Sequence, residues 1–473
     1  MISSRFKYPT FGFLVSLIFA GVYWLWIAGW APKFDSPGTL YDAQWWQIQR
    51  LLELKVDQGE HGLGGDAMFN WKGETIAYWL PFPGLIRLLL WILFLIPNFI
   101  SETFFNISVV DKNTYFSSIS MALSYFLCLY FTYRIFLIFQ KSRLSTSLCN
   151  KKVEKQFIVV LSLLNPYWLL FPSTAVYFES ISWAITMSVI LIYSFLKFYT
   201  TKQNKFLAVY SLVLFLIFFT RVVEIISASV LTCILVALFF RKNVRIDWKF
   251  MPYALSFLLG PIFLGLLNKL RWNSWTTLVP LENHIATQSS PVRLAAAQNY
   301  GNFEPQRFLA NFDYYLLPDI NSFSNKFPFV QLVGTRFNDS MVTMDYVEQK
   351  LTIWYFFPIV AIVSLASFFW GARHYSRSNP QEKRLFFAFT LITISAGIGI
   401  STLLFAPALA LRYIADWYLL FIPFCVLFFS KLSLKIENIM EGNKYVLILN
   451  GLTIAAVLQF TSYFIFSHVY FKW

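Results

Sequence analysis

FDSPGTLYDAQWWQIQRLLEL (Phe34–Leu54) is separated by three residues from the apolar run FGFLVSLIFAGVYWLWIAGW (Phe11–Trp30). A run of that length crosses a hydrocarbon core about 30 Å thick. The chain therefore meets two aspartates, a tryptophan pair and a short amphipathic pattern on leaving its first span. Phe11–Trp30 is too long and too rich in Trp for a signal-peptide core and lacks a small-residue cleavage site, so it is expected to stay in place. Tyr41–Leu54 reads as a helix with Trp45, Ile48, Leu51 and Leu52 on one side and Gln44, Gln47, Arg50 and Glu53 turned elsewhere. That pattern suits a helix lying in the membrane interface. Asp35 precedes it and Asp42 falls in its first turn, where the plainest roles are a turn residue and a dipole complement.

The rest of the chain has the same character. Apolar residues make up 57% and charged residues 13%, with a mean hydropathy of +0.57. Too few polar side chains remain to cover a water-soluble globule of 473 residues. Further apolar segments are Phe82–Ile100, Phe116–Phe139, Phe157–Phe171, Ala175–Leu196, Phe206–Phe219, Val222–Phe240, Pro252–Leu267, Leu351–Trp370, Leu385–Phe405, Tyr413–Phe429 and Tyr445–Phe466. The expected fold is an all-α polytopic membrane protein, one integral membrane domain over residues 1–473 with about 11–12 transmembrane helices.

The net charge of +14 does not point to nucleic acid, because the basic residues flank spans. Examples are Arg5 and Lys7, Lys141 to Lys155, Lys197 to Lys205, Arg241 to Lys249, Arg373 to Arg384 and Lys431 to Lys444. This is the positive-inside pattern. Placing those loops in the cytoplasm leaves two long polar segments outside. Residues 31–80 carry four basic and seven acidic residues, and residues 269–350 carry seven of each. One conflict follows: with 31–80 outside and Lys141–Gln156 inside, Phe82–Ile100 and Phe116–Phe139 cannot both cross. PFPGLIRLLLW, with Pro81, Pro83, Gly84 and Arg87, is the candidate for a helix that starts in an aqueous vestibule and makes no full crossing; a sixth or seventh segment that fails to cross is the alternative.

Ionisable side chains inside apolar runs cost roughly 3 kcal/mol each on insertion scales, so those present need a reason. Arg87, Glu179, Arg221, Glu224, Arg412 and Asp416 form the set. On this topology the last five share the depth of the first outer loop. They describe either ion pairs within the bundle or an outward-facing polar cavity. HGLGGDAMFNWKGETIAYWLPFPG reads as a small hairpin returning to the membrane. No phosphate-binding loop, H-E-x-x-H, G-x-S-x-G or cysteine/histidine cluster occurs, and the four cysteines are scattered. In the late loop, Trp272, Trp275, Tyr300, Phe303, Phe312, Tyr314 and Tyr315 stand among amide side chains, with Glu282, His284, Arg293 and Arg307 as the charges of interest. Aromatic faces with amides suit a carbohydrate and equally suit a loop packed on the bundle mouth.

FDSPGTLYDAQWW, WLPFPGLIRL, NPYWLLFPSTAVYFESISWA, FFTRVVE and LRYIADWYLLFIP together resemble, in plan, the GT-C class of polytopic membrane glycosyltransferases that use polyprenyl-phosphate-linked sugars, in a bacterial branch. In that class an acidic residue opens the first outer loop, helices lie along the membrane, and a later outer loop follows. The resemblance implies transfer of a sugar from a polyprenyl-phosphate donor to a lipid-linked or cell-envelope glycan acceptor, on the outer face of a bacterial plasma membrane. It implies membrane lipid and no nucleic acid as partners. By chemistry, Asp42 is the first choice of general base and Asp35 the second. Arg412, Arg221 and Arg87 are candidates for the phosphate, with Glu179, Asp416 and His284 lining the substrate site. The first loop has no Asp-Glu pair or Asp-x-Asp, which leaves open whether a divalent cation takes part; no other cofactor is implied. Two other readings compete: an O-antigen-type polymerase or ligase using His284, Arg293, Arg307 and Arg336, and a transporter or lipid flippase, which the missing internal repeat disfavours.

Overall fold

The computed structural model describes residues 8–30, 33–35, 40, 42–58, 63, 67–105, 110, 114–143, 151–171, 175–241, 251–277, 279–319, 346–348, 350, 352–437 and 442–470. Among the described residues the structure is predominantly helical, with strands of only two residues each. Among the described residues, six stretches are long and apolar enough to cross a membrane: Phe82–Phe104, Ser117–Gln140, Val176–Thr201, Glu382–Leu404, Leu411–Leu432 and Lys444–Ser462. Shorter apolar helices at Phe11–Ile27, Asn204–Ile217, Val222–Leu238 and Pro358–Arg373 accompany them. The expectation of an all-α membrane protein is met at this level.

In chain order the elements are α1 (Tyr8–Ile27), α2 (Ala43–Leu52), β1 (Met68–Phe69), β2 (Thr75–Ile76), α3 (Phe82–Phe105), α4 (Ser117–Arg143), α5 (Lys151–Leu163), α6 (Tyr167–Leu170), α7 (Val176–Thr201), α8 (Asn204–Ile217), α9 (Val222–Arg241) and α10 (Met251–Trp272). The second long loop carries α11 (Ile285–Gln288), α12 (Pro291–Tyr300), α13 (Phe308–Leu316) and β3 (Tyr346–Val347). Then follow α14 (Ile353–Phe356), α15 (Pro358–Arg373), α16 (Pro380–Ser401), β4 (Ala408–Leu409), α17 (Tyr418–Glu437) and α18 (Gly442–Tyr470). Local chemistry sets several of the boundaries. Pro166 separates α5 from α6, Lys202 ends α7 in a left-handed conformation at φ +57°, and Asn379 caps α16 by accepting from Glu382 N at 2.8 Å.

The core is built from paired helices. α4 and α7 run side by side in the same direction, with Trp183 Nε1 donating to Ser120 Oγ at 3.0 Å near one end and Arg134 Nη2 donating to Tyr193 OH at 3.2 Å near the other. Between these points Ser124, Tyr167 and Thr186 share hydroxyl hydrogen bonds of 2.6 to 2.9 Å, so their buried oxygens are satisfied in an apolar setting. α1 runs opposite to α4, placing Tyr23 against Tyr125 at 5.1 Å and Gly12 against the ring of Tyr133. α9 and α16 approach so closely that a Cβ on Gly399 would lie 1.9 Å from Ser227 Oγ. All this places both long loops at one end of the bundle. Lys202, Lys205, Arg373 and Lys383 lie at the other, as the charge pattern requires.

α3 is the segment that makes no net crossing. Phe82 meets Trp183 edge-on at 5.5 Å, and Trp183 is bonded to Ser120, so α3 and α4 begin at one level of α7. Farther along, Phe94 packs on Phe34 at 5.2 Å and on Phe116 at 5.3 Å, just ahead of α4. α3 thus keeps to the loop end, with Leu93, Ile96 and Phe99 each about two-thirds exposed. Such a face belongs in lipid. The parity conflict disappears, and the segment with the Pro-Gly entry is the one responsible.

α2 is shorter than expected, and its buried face differs. Ala43, Gln44, Trp45, Gln47 and Ile48 are buried, whereas Leu52 is exposed. The reason is that each buried glutamine has a partner: Gln44 Nε2 donates to Ser180 Oγ at 3.2 Å, and Gln47 Nε2 to the Trp79 carbonyl at 2.7 Å. The helix is pinned to protein rather than floating on the interface. Contact with α3 depends on Gly84, where a Cβ would fall 2.4 Å from the Gln44 carbonyl. Gly84→Ala should therefore lower stability by about 1–3 kcal/mol through overpacking. Thermal unfolding in detergent reads this as a reduced midpoint, against Gly451→Ala, whose Cβ would meet nothing within 4 Å, as the unchanged control.

Candidate functional site

The two aspartates of the first loop have different surroundings. Asp35 accepts from Tyr115 N at 2.8 Å and from Ser117 N at 3.0 Å. It thereby caps the start of α4, and both of its oxygens are occupied. Asp42 sits at the start of α2 without capping it and is half-buried. The next residue, Ala43, packs with Trp79, Val176 and Tyr177. Asp42 is thus held beside the entrance of α7. Lower in the loop, Arg50 is fixed by Asp57 and by Glu53 at 2.7 Å. Its hydrogen bond with Asp57 is the largest influence raising that guanidinium above its usual value.

The intramembrane charges resolve into pairs. Arg87 and Glu179 are both fully buried and joined by two hydrogen bonds, the Nε–Oε1 one at 3.1 Å. This pair braces α3 against α7. Of the expected phosphate ligands, Arg87 is therefore the one turned into the protein instead of toward the loops. Arg221 donates through Nη1 to both oxygens of Asp416, at 2.7 and 2.9 Å, and Glu224 is buried one turn farther along α9. Arg412 donates to Glu348 Oε1 at 2.7 Å, while the other Glu348 oxygen accepts from Leu411 N at 2.7 Å.

Aromatic rings join these pairs into one knot. The Arg221 guanidinium lies 4.9 Å from the Tyr413 ring centroid, and Arg412 lies 5.3 Å from the same ring and 4.6 Å from that of Tyr177. Tyr177 meets Trp79 at 5.5 Å, Trp79 meets Tyr78 at 4.8 Å, and Tyr78 meets His284 at 5.7 Å. One continuous line of side chains thus runs from the second loop, through the first, to Arg412 and Arg221. Among the described residues, the buried donors Arg412 Nε, Trp79 Nε1 and Trp417 Nε1 have no hydrogen-bond acceptor. A buried donor left unpaired costs about 1–3 kcal/mol, and both oxygens of Glu224, next to Arg221, are likewise buried without a partner, so the knot holds unsatisfied groups of both kinds.

The hairpin expected in the first loop forms as β1 and β2, with Met68 opposite Ile76. Its turn is closed by Asn70 Oδ1, which accepts from Lys72 N and Glu74 N at 2.9 Å each, and by Gly73 at φ +80°. The second loop is tied to it, since Ile285 N donates to the Ala67 carbonyl at 3.0 Å and Asn283 Nδ2 to the Phe69 carbonyl at 3.1 Å. Arg271 Nη2 donates to the Trp79 carbonyl at 2.9 Å. Of the charges weighed for a polymerase, His284 borders the knot, and Arg307 is buried with Nη1 directed at the Phe405 carbonyl at 3.4 Å. Arg293 lies in the first turn of α12, and Arg336 lies outside the described residues. Lys350 and Asp313 form a further buried pair at 2.7 Å.

Sequence reasoning missed Glu348, Tyr177, Tyr413 and Trp79. Tyr413 and Tyr177 stand next to flagged residues, but Glu348 is 64 positions from Arg412 and carries no local signal. Among the described residues no group of three or more His, Cys, Asp or Glu side chains could hold a metal ion. No family model matches the chain, and no curated protein matches it. The geometry itself therefore carries the functional argument. It also sets a stability test: Arg87→Met should cost about 3–5 kcal/mol by leaving Glu179 charged and alone. Arg87→Met with Glu179→Met should recover most of that loss, as read from purified yield and thermal midpoint.

Proposed function

We propose that this chain is a membrane glycosyltransferase, GT-C-like in plan with about 11–12 spans. It moves a sugar from a polyprenyl-phosphate-linked donor to a lipid-linked or cell-envelope glycan acceptor on the outer face of a bacterial plasma membrane. The observation that carries this reading is the gathering, at the loop end, of two arginines around Tyr413 with the start of α2, where Ala43, the residue after Asp42, shares a cluster with Trp79 and Tyr177. A lipid carrier confines its phosphate to the interface, and the knot lies at the level where the loops meet the bundle. The unpaired donors on Arg412 and Trp79 and the unpaired Glu224 oxygens leave places for a ligand with both oxygen acceptors and hydroxyl donors, which a sugar phosphate has.

In the reaction, the acceptor hydroxyl oxygen bonds to the anomeric carbon while the bond from that carbon to the phosphate oxygen breaks. The hydroxyl proton passes to Asp42, and the phosphate departs on its polyprenyl chain. Arg412 and Arg221 stabilise the charge that grows on the phosphate, and their planar donor edges match its oxygens. Tyr177 and Tyr413 hold the two guanidinium planes in place. Asp35 serves the fold through the α4 cap.

Asp42→Asn should reduce transfer by roughly 10²- to 10⁴-fold, the range for loss of a general base, with protein level unchanged. Asp35→Asn should lower thermal stability more than turnover. The measurement is a mass-spectrometric profile of lipid-linked and envelope glycans from cells carrying wild type, Asp42→Asn, Asp35→Asn or no copy of the gene. Loss of one sugar in the null and in Asp42→Asn is expected. Full transfer by Asp42→Asn removes its role as base. An unchanged repeat unit with altered chain length indicates a polymerase, and accumulation of an intact lipid-linked glycan indicates a ligase or flippase.

A further inference from the structure

Both arginines of the knot already have counterions. Arg221 is neutralised by Asp416 and Arg412 by Glu348, and Glu224 adds a further buried carboxyl. An anion entering beside either intact pair would set two negative groups on one guanidinium in a poorly solvated place, where like charges disfavour one another strongly. A phosphate can therefore be held well only if one carboxylate gives way.

The two carboxylates are not equally able to do so. Asp416 is fully buried, spends both oxygens on Arg221 and sits within the helical turn Leu411–Trp417. Glu348 is 22% exposed, divides its oxygens between Arg412 and the Leu411 amide instead of spending both on the guanidinium, and extends from the end of the two-residue strand β3. Arg412 would not lose its orientation on release, because the rings of Tyr177 and Tyr413 stay against it and its Nε is a donor still without an acceptor. Leu411 N, which Glu348 also occupies, would be freed as a second donor on the same side.

We propose that Glu348 is an exchangeable counterion: it occupies the Arg412 seat and is displaced by the phosphate of an incoming ligand, which then bonds to Arg412 and Leu411 N. This rests on the reading of Arg412 as a phosphate ligand. The exchange keeps Arg412 neutralised in the empty site, and it selects for anions able to outcompete a tethered carboxylate.

The test uses purified full-length protein in detergent, titrated with farnesyl phosphate and, separately, with inorganic phosphate, for wild type, Glu348→Gln and Arg412→Gln. Removing the competing charge should tighten farnesyl phosphate binding by about tenfold in Glu348→Gln, and Arg412→Gln should weaken it by at least about as much. Glu348→Met supplies a second uncharged variant if the first does not fold. Wild type gives an independent reading: saturation with farnesyl phosphate should leave the Leu411 amide protected and speed hydrogen exchange in the peptide that contains Glu348, whose side chain has been released from Arg412 and Leu411 N. Tightening with both probes means that the anion suffices as ligand, and tightening with farnesyl phosphate alone means that the phosphate must be lipid-borne; either agrees with the exchange. Equal or weaker binding by the uncharged variants, while wild type binds, overturns the exchange and leaves Arg412 as a phosphate ligand. Absence of binding by wild type and uncharged variants alike overturns both.

Discussion

A charged side chain inside an apolar bundle must find its counter-charge within the protein, because the surroundings offer no water to solvate it. Arg87 and Glu179 satisfy that constraint completely, each fully buried and doubly bonded to the other. Much of the loop end depends on the result. The pair holds α3 on α7 at the level where α2 crosses Gly84 and where Gln44 reaches Ser180, the neighbour of Glu179. Moving it would shift α2, and with it Asp42.

Two other pairs obey the same constraint but are less closed. Arg221 with Asp416 and Arg412 with Glu348 share the ring of Tyr413. Each leaves part of its guanidinium edge unused, unlike a brace. The gradation from a sealed pair at Arg87 to a partly open one at Arg412 separates support from site. It also places the open end next to the aromatic line formed by Tyr177, Trp79, Tyr78 and His284. That line is where the two long loops and the bundle meet.

α3 shows how an apolar segment can be long enough to cross and still not do so. Its length and hydropathy qualify it as a span. Its start is nevertheless tied by Phe82 to Trp183 and its middle by Phe94 to Phe34 and Phe116. Hydrophobicity decides that such a helix belongs in lipid, and contacts with neighbours decide its direction. The exposed side of α3 then faces the bilayer while Arg87 faces the protein.

The sequence by itself determined the membrane class, most helix positions, the two polar loops and the residues whose burial needed a reason, because hydropathy, helix-breaking prolines and misplaced charges are local properties. Arg87, Glu179, Arg221, Glu224, Arg412 and Asp416 stood out for that reason as charges in need of partners. The tertiary structure alone decided which charges meet. Arg87 finds Glu179 across 92 positions and Arg221 finds Asp416 across 195, and no local pattern encodes such pairings. The same holds for Asp35, whose partners are backbone amides 80 and 82 residues away, and for the glutamines of α2, which look like solvent-facing residues until Ser180 and the Trp79 carbonyl stand opposite them. Polarity can be read from a side chain in isolation, whereas its role depends on the group across from it. In this protein that group lies on a distant element brought near by helix packing.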